Sequence, residues 1–233
     1  MVEWSELSER LNKILELEIP SIAVKLIRKG EEIPEGVEEY TGEPTTFCSL
    51  IDIARDKGKV IFARAPALGA CPLGLAALGF TDTPEKILSG EADFKAGRFL
   101  NLDAARRKVN SVQRLSDVIG PGMMEAVLVA PLEKTPADPD VVHVFGNPYQ
   151  MMRIAQGSIY KDGGKARAEF AGHQAACSDA TVVPILTNQP NFTVQCVGSR
   201  MKCKCADWEI LAGIPWRRLE EVVTGIEKTE YKY

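Results

Sequence analysis

The chain has only two histidines, and none of its six cysteines is spaced as CxxC. Both absences matter, because a local zinc knuckle grips its ion through close Cys pairs or Cys/His sets. Basic residues are not in excess: 28 Lys and Arg face 32 Asp and Glu, for a net charge of −4. A binder of phosphate backbones shows a basic face, so no nucleic-acid partner is expected. Long apolar runs are missing too, and none approaches the roughly 20 residues that cross a bilayer. The stretch "MVEWSELSERLNKILELEIP" mixes acidic and apolar residues, without the basic start and unbroken apolar core of a signal peptide. Phosphate cradles are also lacking. "GPG" at Gly120 and "DGG" at Asp162 read as turns, not as a P-loop or dinucleotide fingerprint. The expectation is a cytoplasmic protein with no membrane partner.

What is present is an ordinary globular composition, 45% hydrophobic and 26% charged over 233 residues, enough to bury a real core. Against that background the cysteines stand out. Cys196, Cys203 and Cys205 crowd into "NFTVQCVGSRMKCKCADWEI" (Asn191 to Ile210), and Cys48, Cys71 and Cys177 lie far upstream. Cytosolic thiols are held reduced. Such a set therefore reads as buried packing, a metal site or redox chemistry.

The expected fold class is α/β in the mixed α+β sense. Leu7, Leu11, Ile14 and Leu15 recur at helical spacing before Pro20. "SIAVKLIRKG", "KVIFARA", "MMEAVLVAP", "DVVHVFG", "KARAEFAG" and "NFTVQCV" read as strands. Helices are expected over "TTFCSLIDIARDKG", after Cys71, in two or three pieces between Asp82 and Lys108, from Pro148 to Tyr160, near Cys177, and over "IPWRRLEEVVTGIEK". A faint repeat lays "RDKGKVIFARAPALGAC" (Arg55 to Cys71) on "KDGGKARAEFAGHQAAC" (Lys161 to Cys177) without a gap. The chain is thus expected to form one domain, 1–233, with two related strand–helix–strand halves (20–100 and 123–200) and a C-terminal helix. Cys71 and Cys177 would then hold equivalent places.

Together "FCSLIDIAR", "CPLGLAALGF", "FGNPYQMMRIAQGSIYKDGGK", "AACSDATVVPIL", "VQCVGSR" and "IPWRRLEEVV" resemble the DUF169 proteins. These are uncharacterised bacterial and archaeal proteins, frequent in anaerobes. The resemblance runs from about Phe47 to the C-terminus. It implies that Cys48, Cys71, Cys177 and Cys196 stand at family cysteine positions. Cys203 and Cys205 depart from the family, which more often has an acidic, cysteine-free stretch there.

Four thiols scattered from 48 to 196 require the fold itself to assemble any site, which suits an iron–sulfur cluster better than a single zinc ion. Cys71 precedes Pro72 and Cys177 precedes "SDATVVPIL", so both are expected near helix starts that favour thiolates. Arg200 in "VGSR" is a candidate donor to the bound group. The leading expectation is a [4Fe–4S] cluster on Cys48, Cys71, Cys177 and Cys196, with a redox or sulfur-related role in anaerobic metabolism. Its partner would be a redox protein or a small sulfur-containing molecule. Two alternatives stay open: a non-catalytic zinc or small-ligand binder, and a thiol/disulfide enzyme using Cys203 and Cys205. His173, four residues before Cys177, is a candidate to tune that thiol. His143, in "VVHVF", is expected to be structural.

Overall fold

A computed structural model describes residues 3–229. Among the described residues seven strands form one sheet: β1 (Ile22–Arg28), β2 (Glu38–Glu39), β3 (Ile61–Arg64), β4 (Met124–Pro131), β5 (Val141–Gly146), β6 (Asn191–Thr193) and β7 (Ile210–Pro215). Their spatial order is β2-β3-β4-β1-β5-β7-β6. β2 and β3 pair in parallel, and the other neighbours in this order are antiparallel.

Eleven α-helices accompany the sheet among the described residues. They are α1 (Trp4–Leu15), α2 (Phe47–Lys57), α3 (Pro72–Ala77), α4 (Glu85–Leu88), α5 (Glu91–Lys95) and α6 (Leu102–Ser111). The rest are α7 (Ser116–Ile119), α8 (Pro148–Ile159), α9 (Val183–Thr187), α10 (Val197–Lys202) and α11 (Trp216–Lys228). A π-helical segment, Ala175–Val182, runs directly into α9.

Side-chain alternation sorts the strands between two cores. Ile22, Val24 and Leu26 of β1, with Val141 and Phe145 of β5, join Phe47, Leu50, Ile51 and Ala54 of α2 on one face. Ala23, Val142 and Val144 point the other way, onto α1, α8 and α11. Both faces are covered, which explains the near-continuous apolar runs "AVLVA" and "VVHVF". Full burial of each such side chain contributes about 1.5–3 kcal/mol. On the second face α8 and α11 cross where Gly157 meets Gly225. A Cβ on Gly225 would stand 2.9 Å from the Gly157 Cα, so two side-chain-free positions permit the contact.

The mixed α+β class holds, but three local expectations are corrected. "KARAEFAG" is not a strand: residues 165–171 are exposed and without regular structure. Its alternate positions Ala166, Ala168 and Phe170 carry one large apolar side chain, too little apolar surface to hold a strand on a core. The neighbouring place beside β1 is taken by β5. The strand of "NFTVQCV" stops at Thr193, because Gln195 adopts a left-handed backbone (φ 71°). The helix expected over "IPWRRLEEVVTGIEK" begins only at Trp216, because Ile214 and Pro215 end strand β7, formed by "ILAGIP". Of the two proposed halves, the strands that open them, β1 and β4, are antiparallel neighbours, Lys25 opposite Leu128. The counterpart of β3 in the second half is the irregular stretch just described.

Candidate functional site: a convergence of six thiols

All six cysteines are free, and they gather on the α2 side of the sheet. Thr46 starts α2 by accepting a hydrogen bond from the Ser49 N–H (3.1 Å), which sets Cys48 in the first turn. The apolar face of α2 then seats on the sheet and leaves Cys48 half-buried at its flank. A short 3₁₀ turn, Ala65–Leu68, leads to Cys71, the residue that caps α3 ahead of Pro72. Gly74 keeps the space next to this sulfur open; a Cβ there would lie 3.4 Å from Cys71 Sγ.

Cys177 occupies the first turn of the π-helical segment, every residue of which is buried. Rare π geometry tends to occur at functional positions. Gln174 enters the segment in a left-handed conformation (φ 57°) and is held by Lys108, whose Nζ donates to Gln174 Oε1 (3.2 Å) and to Asp93 (3.1 Å). Cys196 caps α10, its Sγ accepting from the Ser199 N–H at 3.3 Å. At the other end of α10, Cys203 is fully buried, Lys204 turns the chain in a left-handed conformation (φ 51°), and Cys205 follows half-buried.

These elements touch: α10 packs on α2, and the π-helical segment packs on both α2 and α3. The thiols accordingly feel one another. Burial pushes the Cys177 thiol well above its ordinary range, and charge on Cys48, Cys71 and Cys196 adds to the rise. Cys71 is raised by burial, with smaller contributions from Cys48 and Cys196. Cys48 is lowered, chiefly by a hydrogen bond from Cys203. Cys203 is raised well above the usual thiol range by hydrogen bonds to Cys205 and Cys48 and by burial, and its Sγ also donates to the Cys48 carbonyl (3.2 Å). Cys205 is lowered to about 7, first by the Cys203 hydrogen bond and further by Gln195 and the Arg55 charge.

The four expected ligands, Cys48, Cys71, Cys177 and Cys196, thus lie within charge reach of one another, and Cys203 and Cys205 adjoin them through Cys48. Among the described residues, no three or more His, Cys, Asp or Glu side chains form a group that would hold a metal ion. Arg200, expected at the bound group, donates instead to the carbonyls of Val194 (3.2 Å), Glu209 (3.1 Å) and Ala206, so it braces the loop that carries Cys203 and Cys205. His173 stacks near Phe99, 5.6 Å between ring centroids, beside Lys108 and Asp93. His143 is structural: its Nε2 lies 3.1 Å from the Ala180 carbonyl and 3.0 Å from the Thr181 hydroxyl.

Three residues of the site were not expected. Arg55 Nη1 lies 3.4 Å from Cys205 Sγ, while its Nη2 grips Glu209 at 2.6 and 2.8 Å, in a pair with both side chains buried. The guanidinium also stacks on Phe145, 4.5 Å from the ring centroid. Gln195 accepts from the Ser199 hydroxyl (2.9 Å) and the Cys205 thiol (3.3 Å), and its Nε2 has no partner. Arg55 was open to discovery, since it follows Cys48 by two helical turns on one face of α2. Gln195 and Glu209 carry no comparable signal.

The profile of the DUF169 family, described as uncharacterised ArCR, matches residues 10–225. An uncharacterised protein of Methanocaldococcus jannaschii, MJ0308, is 32% identical over 226 residues, covering 97% of this chain and 94% of the relative's own length. No solved structure matches. No helix among the described residues is long and apolar enough to cross a membrane.

Proposed function

The chain belongs to the DUF169 family, and from that premise we propose that it is an iron–sulfur protein whose [4Fe–4S] cluster is held by Cys48, Cys71, Cys177 and Cys196. The observation that carries the reading is that four thiols from four separate elements come within charge reach, Cys177 buried and the others partly so, and charge on three of them raises the fourth. Buried thiols crowded in this way resist ionisation on their own, because burial penalises each anion and every further anion repels the rest. Iron ligation requires thiolates and supplies the positive charge that offsets both costs. The donor set is sulfur throughout, which suits iron–sulfur chemistry.

A single zinc ion asks four ligands to approach one point to about 2.3 Å, whereas a cluster spreads its thiolates over several irons. The chain's own contribution is to exclude water by burying Cys177, to donate the Ser199 N–H to Cys196 Sγ, and to keep the space beside Cys71 clear at Gly74. Bound there, the cluster would supply electron transfer or sulfur chemistry in a reducing, cytoplasmic setting of anaerobic metabolism. A redox protein or a small sulfur-containing molecule would be the partner. Six unpaired cysteines accord with that compartment.

Protein purified without exposure to air should be brown and contain about four irons and four sulfides per chain. Cys71→Ser and Cys177→Ser should each lose most of both. Full iron content in both variants would overturn the reading.

A further inference from the structure

We propose that Cys205, Cys203 and Arg55 form a thiol–disulfide exchange site, at which Cys205 attacks the sulfur–sulfur bond of a small organic disulfide and Cys203 resolves the product. This goes beyond the cluster reading and does not rest on it. The geometry supplies each role. Cys205 is half-buried and accessible, whereas Cys203 is fully enclosed, so an incoming disulfide meets Cys205 first. Lys204 folds the chain back between the two, and its Nζ is anchored to Asp52 at 2.9 Å and Asp56 at 3.3 Å on α2.

Arg55 stands 3.4 Å from the Cys205 sulfur, its fork fixed by Glu209 and its plane by Phe145. Glu209 is itself tied to the loop by the Ala206 N–H at 2.7 Å. Gln195, 2% exposed, brings its amide to the same sulfur and carries an unpartnered Nε2. Exchanging the two amide positions turns that N–H onto the sulfur, adding a second donor to a thiolate. The Arg55 guanidinium beside its sulfur favours the thiolate of Cys205 over that of the enclosed Cys203.

The exchange balances in two steps. The Cys205 thiolate attacks R–S–S–R, forming a Cys205–S–S–R bond and releasing RS⁻. That RS⁻ takes the Cys203 proton. The Cys203 thiolate then attacks Cys205 Sγ, forming the Cys203–Cys205 disulfide and expelling the second RS⁻. Two electrons pass from the two protein sulfurs to the small disulfide.

The test treats the purified full chain with one equivalent of oxidised glutathione at pH 7 and maps the products by mass spectrometry. Wild type should release both glutathione thiols and carry a Cys203–Cys205 disulfide. Cys203→Ser should retain one glutathione on Cys205, and Cys205→Ser should react at least about tenfold more slowly. Arg55→Gln should slow the reaction about fivefold at pH 6.5 and move its half-maximal pH upward, with Arg55→Lys restoring most of the rate. A Cys203–Cys48 disulfide in wild type, or unchanged speed in Cys205→Ser, overturns the proposal. Iron and sulfide are assayed on the same samples. An iron-free chain that still exchanges sinks the cluster reading alone, and an iron-loaded chain that does not exchange sinks this one alone.

Discussion

His143 sits on β5 with no solvent contact, and its Nδ1 has no partner. Burial lowers its pKa to about 4, against 6.5 for an ordinary histidine. The unfolded chain therefore takes the proton first. The stability contributed by the neutral ring is complete above about pH 6.5 and is lost as pH falls through 4. Asp179, two residues beyond Cys177, behaves oppositely. Burial raises its carboxyl to about 7, against the hydrogen bond from the Thr193 hydroxyl at 3.0 Å. Its contribution is complete only in acid, below the unfolded value near 3.9, and is lost as pH rises through 7. Between pH 5 and 7 each group shifts stability by about 2 kcal/mol, in opposite senses. Urea midpoints of the wild type should therefore change little over that range on account of this pair. His143→Asn should lose stability toward pH 7 relative to pH 5, and Asp179→Asn should lose it toward pH 5 relative to pH 7. Variants with the wild-type profile would show that neither group is held as described.

Gly213 on β7 passes so close to the backbone of the π-helical segment that a Cβ there would sit 2.9 Å from the Ala180 Cα. This approach seats the segment that carries Cys177 against the sheet. Gly213→Ala should destabilise the protein by about 1–3 kcal/mol, read as a fall of several degrees in Tm. Gly198 is the contrast: it lies inside α10 with nothing within 4 Å of its would-be Cβ. Gly198→Ala should raise stability by about 0.5–1 kcal/mol through helix propensity alone, and a comparable loss in both variants would refute the distinction. Elements with local punctuation were legible in the sequence. Thr46 and Gly58 bracket α2, and Asn147 with Gln150 forms the capping box that starts α8. Elements defined by distant partners were not. β7 becomes a strand by pairing with β5 and β6, and "ILAGIP" has no alternation to announce it. "KARAEFAG" alternates but finds no place in the sheet. Its backbone is instead met by the Asn191 side chain, which accepts from the Glu169 N–H (2.8 Å) and donates to the Glu169 carbonyl (2.9 Å).

Across the whole molecule, the candidate site is an outcome of topology. Residues 48, 71, 177 and 196 share no local motif, and the packing of α2, α3, the π-helical segment and α10 is what brings their sulfurs within charge reach. Sequence pattern supplied the residue types and the helix starts; the meeting of Cys203 with Cys48, and of Arg55 with Cys205, depends on contacts more than a hundred residues apart along the chain. The same topology ties any bound group to folding. Ligation by four elements would cross-link the chain over most of its length, and such a group binds the native state without an equivalent site in the unfolded one. Iron-loaded protein should consequently unfold at a higher temperature than chelator-stripped protein, by about 3 kcal/mol or more when the cluster is bound a hundredfold above its dissociation constant. Cys177→Ser should remove that difference, since its sulfur is within charge reach of the other three. Lys204→Ala, which loosens only the Cys203–Cys205 loop from Asp52 and Asp56, should leave it in place. Equal melting of loaded and stripped wild type would mean that the thiols do not act as one ligand set, however close the fold brings them.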